Sequence, residues 1–442
     1  MRFLPLRTLT HLPLHLVFPA FAAFAALVGT AAHAQIVIPT TNRIVASDGV
    51  PGDNFGVSVA LSGNTALVGA FGDAIGANNQ QGSAYLFNVT TGTQTAKLVA
   101  SDGSANDNFG QAVALLNNTA LVGAYLDDIG ANTNQGSAYL FNATTGAQLV
   151  KLTANDGAAN DKFGNAVALS GNTALIGAYN DAIGANSFQG SAYLFNAATG
   201  TQLVKLTAND GATDDNFGVS VALSGNTALV GAYQDTIGAN RNQGSAYLFN
   251  ATTGAQTVKL VASDGSANDY FGTSVSLSGN FALVGAFGDT VGANRNQGSA
   301  YLFNATTGAQ LFKFTALDGT AGDYFGFSVA LSGNTALIGA HLDDVGGNPS
   351  QGSVYAFDIT TGLQIAKYLG ADPVNNRNFG YSVALDGTNA LAGALGANSN
   401  QGSAYRFTVG SVTAAPEPAS LGLLGVGFVG MVGMIARRKA KP

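Results

Sequence analysis

The dipeptide Phe-Gly recurs at Phe55, Phe109, Phe163, Phe217, Phe271, Phe325 and Phe379, and every step is 54 residues. The same period carries Asp48, Asp102, Asp156, Asp210, Asp264, Asp318 and Asp372. It also carries Gly-Ala pairs that begin at Gly69, Gly123, Gly177, Gly231, Gly285, Gly339 and Gly393. Three series locked to one period mean one structural unit written seven times. Such a unit buries its apolar surface mainly against copies of itself, which restricts the chain to a repeat architecture.

Each unit contains four short apolar runs. In the first they are Phe55–Leu61, Thr65–Ala70, Ser83–Phe87 and Gln94–Val99. Between them stand Ser62-Gly63-Asn64, the loop 72–82 and Thr90-Thr91-Gly92, where Gly and Asn supply the positive φ that tight hairpins need. In Phe55-Gly56-Val57-Ser58-Val59-Ala60-Leu61 the large and small residues alternate, so a strand presents one bulky and one smooth face. Stacked units then interlock large against small. Four strands in about 50 residues is the size of a propeller blade. A parallel β-helix has shorter coils and no hairpin turn between every pair of strands. The expected fold is therefore all-β, a seven-bladed β-propeller of four-stranded blades.

The seventh unit supplies three strands only: Phe379–Leu385, Asn389–Ala394 and Ser403–Val409. An unassigned strand lies within Ile36–Ala46, and Arg43-Ile44-Val45-Ala46-Ser47-Asp48 aligns with Lys97-Leu98-Val99-Ala100-Ser101-Asp102. The N-terminal strand is expected to complete blade seven and so remove an exposed sheet edge.

Asp53-Asn54-Phe55-Gly56, then Gly69-Ala70, then Gly82-Ser83-Ala84-Tyr85-Leu86-Phe87, recur through residues 43–408. These units resemble FG-GAP repeats, the repeats of integrin α-subunit propellers and of many bacterial surface proteins. The resemblance implies adhesion or recognition. Many such units carry an Asp-x-Asp-x-Asp-Gly calcium loop between the first and second strands. Here that place holds Ser62-Gly63-Asn64 and its equivalents, so calcium does not carry over with the resemblance.

Two terminal segments stand outside the repeats. Residues 1–34 read as a secretory signal peptide, with Arg2 and Arg7 ahead of an apolar stretch and Ala32-His33-Ala34 as the cleavage site. At the other end, Pro416-Glu417-Pro418 precedes eighteen uncharged residues, Ala419 to Ala436, followed by Arg437, Arg438, Lys439 and Lys441. That run is just long enough to span a bilayer, and the basic residues behind it favour a cytoplasmic end. The tail resembles the PEP-CTERM sorting signal. The resemblance implies an exosortase-type peptidase as partner, an inner-membrane stage before processing, and delivery to the cell surface or its polysaccharide matrix. The expected division is 1–34 signal peptide, 35–410 propeller and 411–442 linker with sorting segment.

Composition narrows the chemistry. Of 25 acidic residues, Glu417 is the one Glu and the other 24 are Asp. Removing both tails leaves residues 35–415 with a net charge of −12. Such a body repels nucleic acid and anionic lipid. It contains one histidine, His341, and no Cys or Glu. No Ser-His-Asp set can form away from His341, so no enzyme activity is expected. The alternative is an exported hydrolase that uses Asp carboxylates in the propeller channel.

Three groups of residues are candidates for binding. After each Gly-Ala pair stand Phe71, Tyr125, Tyr179, Tyr233, Phe287, His341 and Leu395. In a propeller these form a ring near one mouth of the channel. Such a ring either grips sugar faces and cations or packs into a plug. Within otherwise fixed text one position varies: Val57, Gln111, Asn165, Val219, Thr273, Phe327 and Tyr381. The loop that holds Arg241 and Arg295 varies as well, and variable positions on a rigid scaffold are where a binding face can be written. Finally, Asp48 and Asp53, like Asp102 and Asp107, share one loop. They are either calcium ligands or acceptors for backbone N–H groups at a tight corner.

Overall fold

The structure is a computed structural model that describes residues 37–40, 42–371 and 377–410. The signal peptide, Asp372 and the C-terminal sorting segment lie outside the described residues.

Among the described residues the strands form seven sheets, each built on the four-stranded antiparallel meander of a propeller blade; the sheet of blade six carries a fifth strand and that of blade seven takes its fourth from the N-terminus. The first strands touch their neighbours in an unbroken circuit from blade one (Val59–Ser62) to blade seven (Phe379–Asp386) and back to blade one. The second and third strands, Thr65–Ala70 and Ser83–Asn88 in blade one, are buried along nearly their whole length. Their two faces are covered by different blades. One cluster joins Leu67, Leu86 and Leu98 of blade one to Phe109, Val122, Tyr139 and Phe141 of blade two, and this pattern repeats around the ring. The core therefore lies between blades, as expected for sheets that stack smooth face on bulky face. Within the bulky face of six blades the Phe of Phe-Gly meets two aromatic rings edge-on, as in Phe55 with Tyr85 at 5.6 Å and Phe87 at 5.8 Å; in blade seven Phe379 meets Tyr405 edge-on and Phe407 at a tilt.

The Phe-Gly and Gly-Ala motifs meet across every seam. Gly110 of blade two lies against Gly69 of blade one so closely that a Cβ on Gly69 would collide with the Gly110 carbonyl. The same contact joins Gly123 to Gly164 and, at the closure, Gly393 to Gly56. The incoming glycine adopts φ near +94°, which a residue with a Cβ resists. At this point the first strand leaves its own hairpin. Phe217 pairs with Ala232, the register then skips to Ser220 opposite Gly231, and Phe217 bridges to Gly190 of the preceding blade. In blade one the expected strand 55–61 is regular only from Val59, and Phe55 bridges to Gly402 of blade seven instead.

Closure uses two N-terminal strands where the sequence indicates one. Strand β2 (Asn42–Ile44) pairs antiparallel with Ser403–Thr408 and completes blade seven as expected. Strand β1 (Val37–Thr40) runs parallel to the outer strand of blade six, Gln364–Gly370. It covers that edge, and Lys367 there is nearly buried while its equivalents in other blades remain a quarter exposed.

Two outcomes follow from this geometry. Gly231→Ala forces a backbone collision at a seam and should lower stability by at least about 3 kcal/mol. Gly238→Ala, at φ +63° with open space around it, should cost only about 1–2 kcal/mol. Chemical denaturation of both variants measures the difference. Deleting residues 35–41 should remove only the β1 pairing and leave a monomer with one cooperative transition. Deleting 35–47 opens blade seven and should give broadened melting and self-association by light scattering. A compact monomer with unchanged melting after the longer deletion would refute closure by β2.

Candidate functional site

The Asp series serve two different purposes at the end of the strands where the first strand begins. In blade one the Lys97 ammonium, on the fourth strand, stands 2.6 Å from Asp48 and 2.7 Å from Asp73. The Tyr85 hydroxyl, on the third strand, donates toward Asp48 at 3.0 Å and Asp73 at 2.9 Å, and Ser83 donates to Asp73. Five further blades repeat the lysine bridge with Lys151, Lys205, Lys259, Lys313 and Lys367. Asp53 is different. Its buried carboxylate accepts the Val50 N–H at 2.6 Å, and Asp107 accepts that of Ser104 at 2.5 Å. Turn chemistry thus accounts for Asp53 and Asp107, whereas Asp48 and Asp102 face an ammonium and a phenol. A calcium ion here would have to displace the lysine. Among the described residues no group of three or more His, Cys, Asp or Glu side chains converges in a way that could hold a metal. The lysine partner is missing from the sequence reading although it recurs at the same 54-residue period.

The aromatic series gathers at this same end, around the axis. His341 is buried, 4.2 Å from Phe327 and 5.4 Å from Tyr381 between ring centroids. Burial pushes its imidazole down to about 4, so it is neutral at physiological pH, and Nδ1 has no hydrogen-bond partner among the described residues. Phe327 also touches Tyr381 at 5.1 Å and Phe287 at 5.8 Å. Tyr233, Phe287 and His341 come from the expected ring, but they are joined by two rings the sequence reading did not single out. Tyr270 lies between Tyr233 at 5.9 Å and Phe287 at 5.1 Å, and Tyr324 lies between Phe287 at 5.1 Å and His341 at 5.9 Å. On the other side Lys162 sits over the Tyr125 ring at 5.7 Å. Burial, then the neighbouring Tyr125 and Tyr233 hydroxyls, raise the Tyr179 phenol. Phe71 occupies the equivalent place in blade one, half-buried.

Lys162, Tyr270 and Tyr324 immediately precede Phe-Gly. At this position the other blades have Asn54, Asn108, Asn216 and Asn378, and all seven residues have φ between 54° and 62°. Asn tolerates the left-handed region because its short amide bonds locally, while a Lys or Tyr there costs about 1–2 kcal/mol. The text Lys-Phe-Gly and Tyr-Phe-Gly in place of Asn-Phe-Gly was the available signal.

The two Asp classes give opposite pH dependences. Burial pushes Asp107, Asp161, Asp215 and Asp269 up to about 6, against the backbone hydrogen bond each accepts. These groups hold their protons more tightly when folded, so stability should rise as pH falls from 7 through 6. For Asp48 and Asp102 burial also acts upward, but hydrogen bonds from lysine and tyrosine outweigh it and hold the carboxyls below their ordinary range. Their contribution is present above about pH 4 and lost below it. Melting temperature at fixed ionic strength should therefore peak near pH 5. Replacing Asp107, Asp161, Asp215 and Asp269 by Asn should flatten the rise between pH 7 and 5 and keep the acid-side fall. A maximum at or above pH 7 would contradict this assignment.

A family model of the FG-GAP repeat matches residues 40–87, 93–141, 147–195, 201–249, 255–303, 309–357 and 363–407. The PEP-CTERM protein-sorting motif matches residues 414–439. No curated protein matches the chain. Among solved structures, the chain is similar to the computationally designed Ika8 protein (crystal packing No.1 in P63), at 17% identity and a TM-score of 0.49, with 84% of this chain and 100% of that chain covered. The sorting motif implies processing by an exosortase and membrane anchoring before it; no helix among the described residues is long and apolar enough to cross a membrane. Seven consecutive repeat matches span most of the chain, each running from the fourth strand of one blade through the first three strands of the next: this chain belongs to the FG-GAP repeat family and, by its PEP-CTERM motif, is an exported surface protein.

Proposed function

We propose that the protein is a non-enzymatic binding module of the cell surface or extracellular matrix, and that its aromatic channel mouth takes saccharide rings. The observation that carries this reading is the placement of Lys162, Tyr270 and Tyr324 in left-handed backbone. Four sister blades place Asn there at little strain, so three blades hold bulky side chains at a standing cost, and strain of this kind clusters at functional sites. The rings they bring to the mouth, with Tyr179, Tyr233 and Phe287, are half-buried and keep accessible surface. Half-buried rings suit the apolar faces of sugars, and adhesion to a polysaccharide matrix is the corresponding role.

The hydrolase alternative needs a carboxylate pair at the axis. The Asp48 and Asp73 series are instead bridged by lysines on the outermost strands, and the Asp53 series is turned onto turn N–H groups. Repetition in blade after blade suits scaffold chemistry. The mature body, residues 35–410, is read as lying between a cleaved signal peptide and the exosortase-processed tail. Its net negative charge disfavours nucleic acid as a partner.

Binding to a neutral glycan array, followed by titration calorimetry with the best oligosaccharide, tests the site. The pair Tyr270→Asn and Tyr324→Asn should weaken binding about tenfold or more, at about 1–3 kcal/mol for two lost stacking faces. Lys162→Asn should raise stability by about 1 kcal/mol, because it restores the residue the backbone prefers. Unchanged glycan binding in the double variant, or no glycan bound by the parent protein, would sink the proposal.

A further inference from the structure

Five inter-blade seams are sealed in one manner at the end of the strands opposite the mouth. The glycine of the Thr-Gly turn between the third and fourth strands faces an apolar side chain of the preceding blade. Gly146 faces Ala96, Gly200 Val150, Gly254 Val204, Gly308 Val258 and Gly362 Phe312. At the closure between blades seven and one this plug is absent. Asn42, on β2, stands where the repeat places Ala96 or Val150, and Gly92 faces Arg406 and Ile44 instead. Arg406 itself replaces Leu86, Leu140, Leu194, Leu248 and Leu302, all fully buried in their blades. The result is a cleft of about 400 Å³ whose lining includes Asn42, Asn64, Thr90, Asn389, Arg406 and Phe407.

Among the described residues no carboxylate forms an ion pair with the guanidinium at this cleft. Arg406 Nε is buried and has no hydrogen-bond partner among the described residues. Nearby Asp386 is already engaged, accepting the Gly63 N–H at 2.7 Å. A partly buried guanidinium is stabilised best by a planar, bidentate acceptor, and carboxylate is the geometric match. The other polar lining is amide and hydroxyl, which hydrogen-bond neutral hydroxyl groups, with Phe407 as a single ring. The volume lies within the usual range for small-molecule sites.

We propose that this cleft binds the carboxylate of an acidic saccharide, held by Arg406, with the sugar hydroxyls on the Asn and Thr side chains around it. The site is formed where the chain closes on itself and occurs in no other seam among the described residues. It is separate from the aromatic mouth, because Asn64 and Thr90 lie at the opposite strand ends from Ala70 and Ser83.

Calorimetry on the purified exported protein tests this with trigalacturonate, its neutral galactose counterpart and a sulfated trisaccharide. Trigalacturonate should bind, and binding should weaken severalfold between low and high salt. Arg406→Leu installs the repeat's own residue, so the fold should persist with unchanged melting while trigalacturonate binding falls about tenfold or more. Arg406→Lys keeps the charge without the fork and should fall between. Tyr270→Asn with Tyr324→Asn should leave this binding intact. Equal affinity in Arg406→Leu, equal affinity for the neutral sugar, stronger binding of the sulfated sugar, or loss of binding in the mouth variant would each overturn the proposal.

Discussion

The contact on which the ring depends has no side chains in it. At each seam the glycine of Phe-Gly brings its carbonyl against the glycine of Gly-Ala in the preceding blade, from Gly69 with Gly110 round to Gly393 with Gly56. Hydrogen bonds reinforce it: the Phe109 N–H reaches the Gln81 carbonyl at 2.9 Å, and the Ser220 hydroxyl reaches the Gly272 carbonyl at 2.8 Å. Because the contact is backbone on backbone, it fixes the distance between neighbouring first strands. Once that distance is set, the larger residues further out have a defined gap to fill. Leu67, Leu86 and Leu98 of one blade fill it against Val122, Tyr139 and Phe141 of the next. The two motifs recur at one period because each is half of a single joint.

The lysine bridges act at a second level. Each ties the loop entering a blade, through Asp48, to the loop between its second and third strands, through Asp73. The exposed Asp48 arm contributes little, since solvent screens it. The Asp73 arm is buried, and removing the lysine would strand its charge, which is why the series is strongly coupled to the fold. This also explains the near-absence of Glu. The Asp53 carboxylate reaches a backbone N–H three residues back in its own turn, a reach that suits the shorter side chain.

The blade count, the four strands and closure by the N-terminal chain are legible because they rest on periodicity. Thr65–Ala70 and Asn389–Ala394 appear in the structure with the bounds the sequence suggests. Contacts between residues far apart in the chain are not legible in the same way. Nothing in Val37–Thr40 announces a parallel edge on blade six, because that pairing carries no repeat signal. Lys97 is periodic, yet its partners lie 49 and 24 positions away on different loops, and only the folded blade brings them together. The mouth was half legible. The ring after Gly-Ala is visible as text, but the rings at Tyr270 and Tyr324 matter through their φ angles, which the sequence shows only as a substitution of Asn.

A propeller built from near-identical units cannot place a unique site by its scaffold, since every device recurs around the axis. Specificity has to enter where the text departs from itself. The departures here fall in two places. Around the mouth, Lys162, Tyr270, Tyr324, Phe327 and Tyr381 replace smaller or more compliant residues on blades three to seven, and His341 replaces the Phe or Tyr of five other blades. At the closure, Ala397 stands where six blades have the Asp73 carboxylate, so the Ser403 hydroxyl is buried without the acceptor its equivalents have. Arg377 stands where they have Asp53, and it donates to the Tyr405 hydroxyl. Blade seven thus exchanges acceptors for donors at one end of its strands and, through Arg406, an apolar side chain for a cation at the other. In a body with net charge −12 the closing blade is where positive charge is concentrated. A partner that reads charge would find its orientation there, and one that reads ring faces would find it at the mouth.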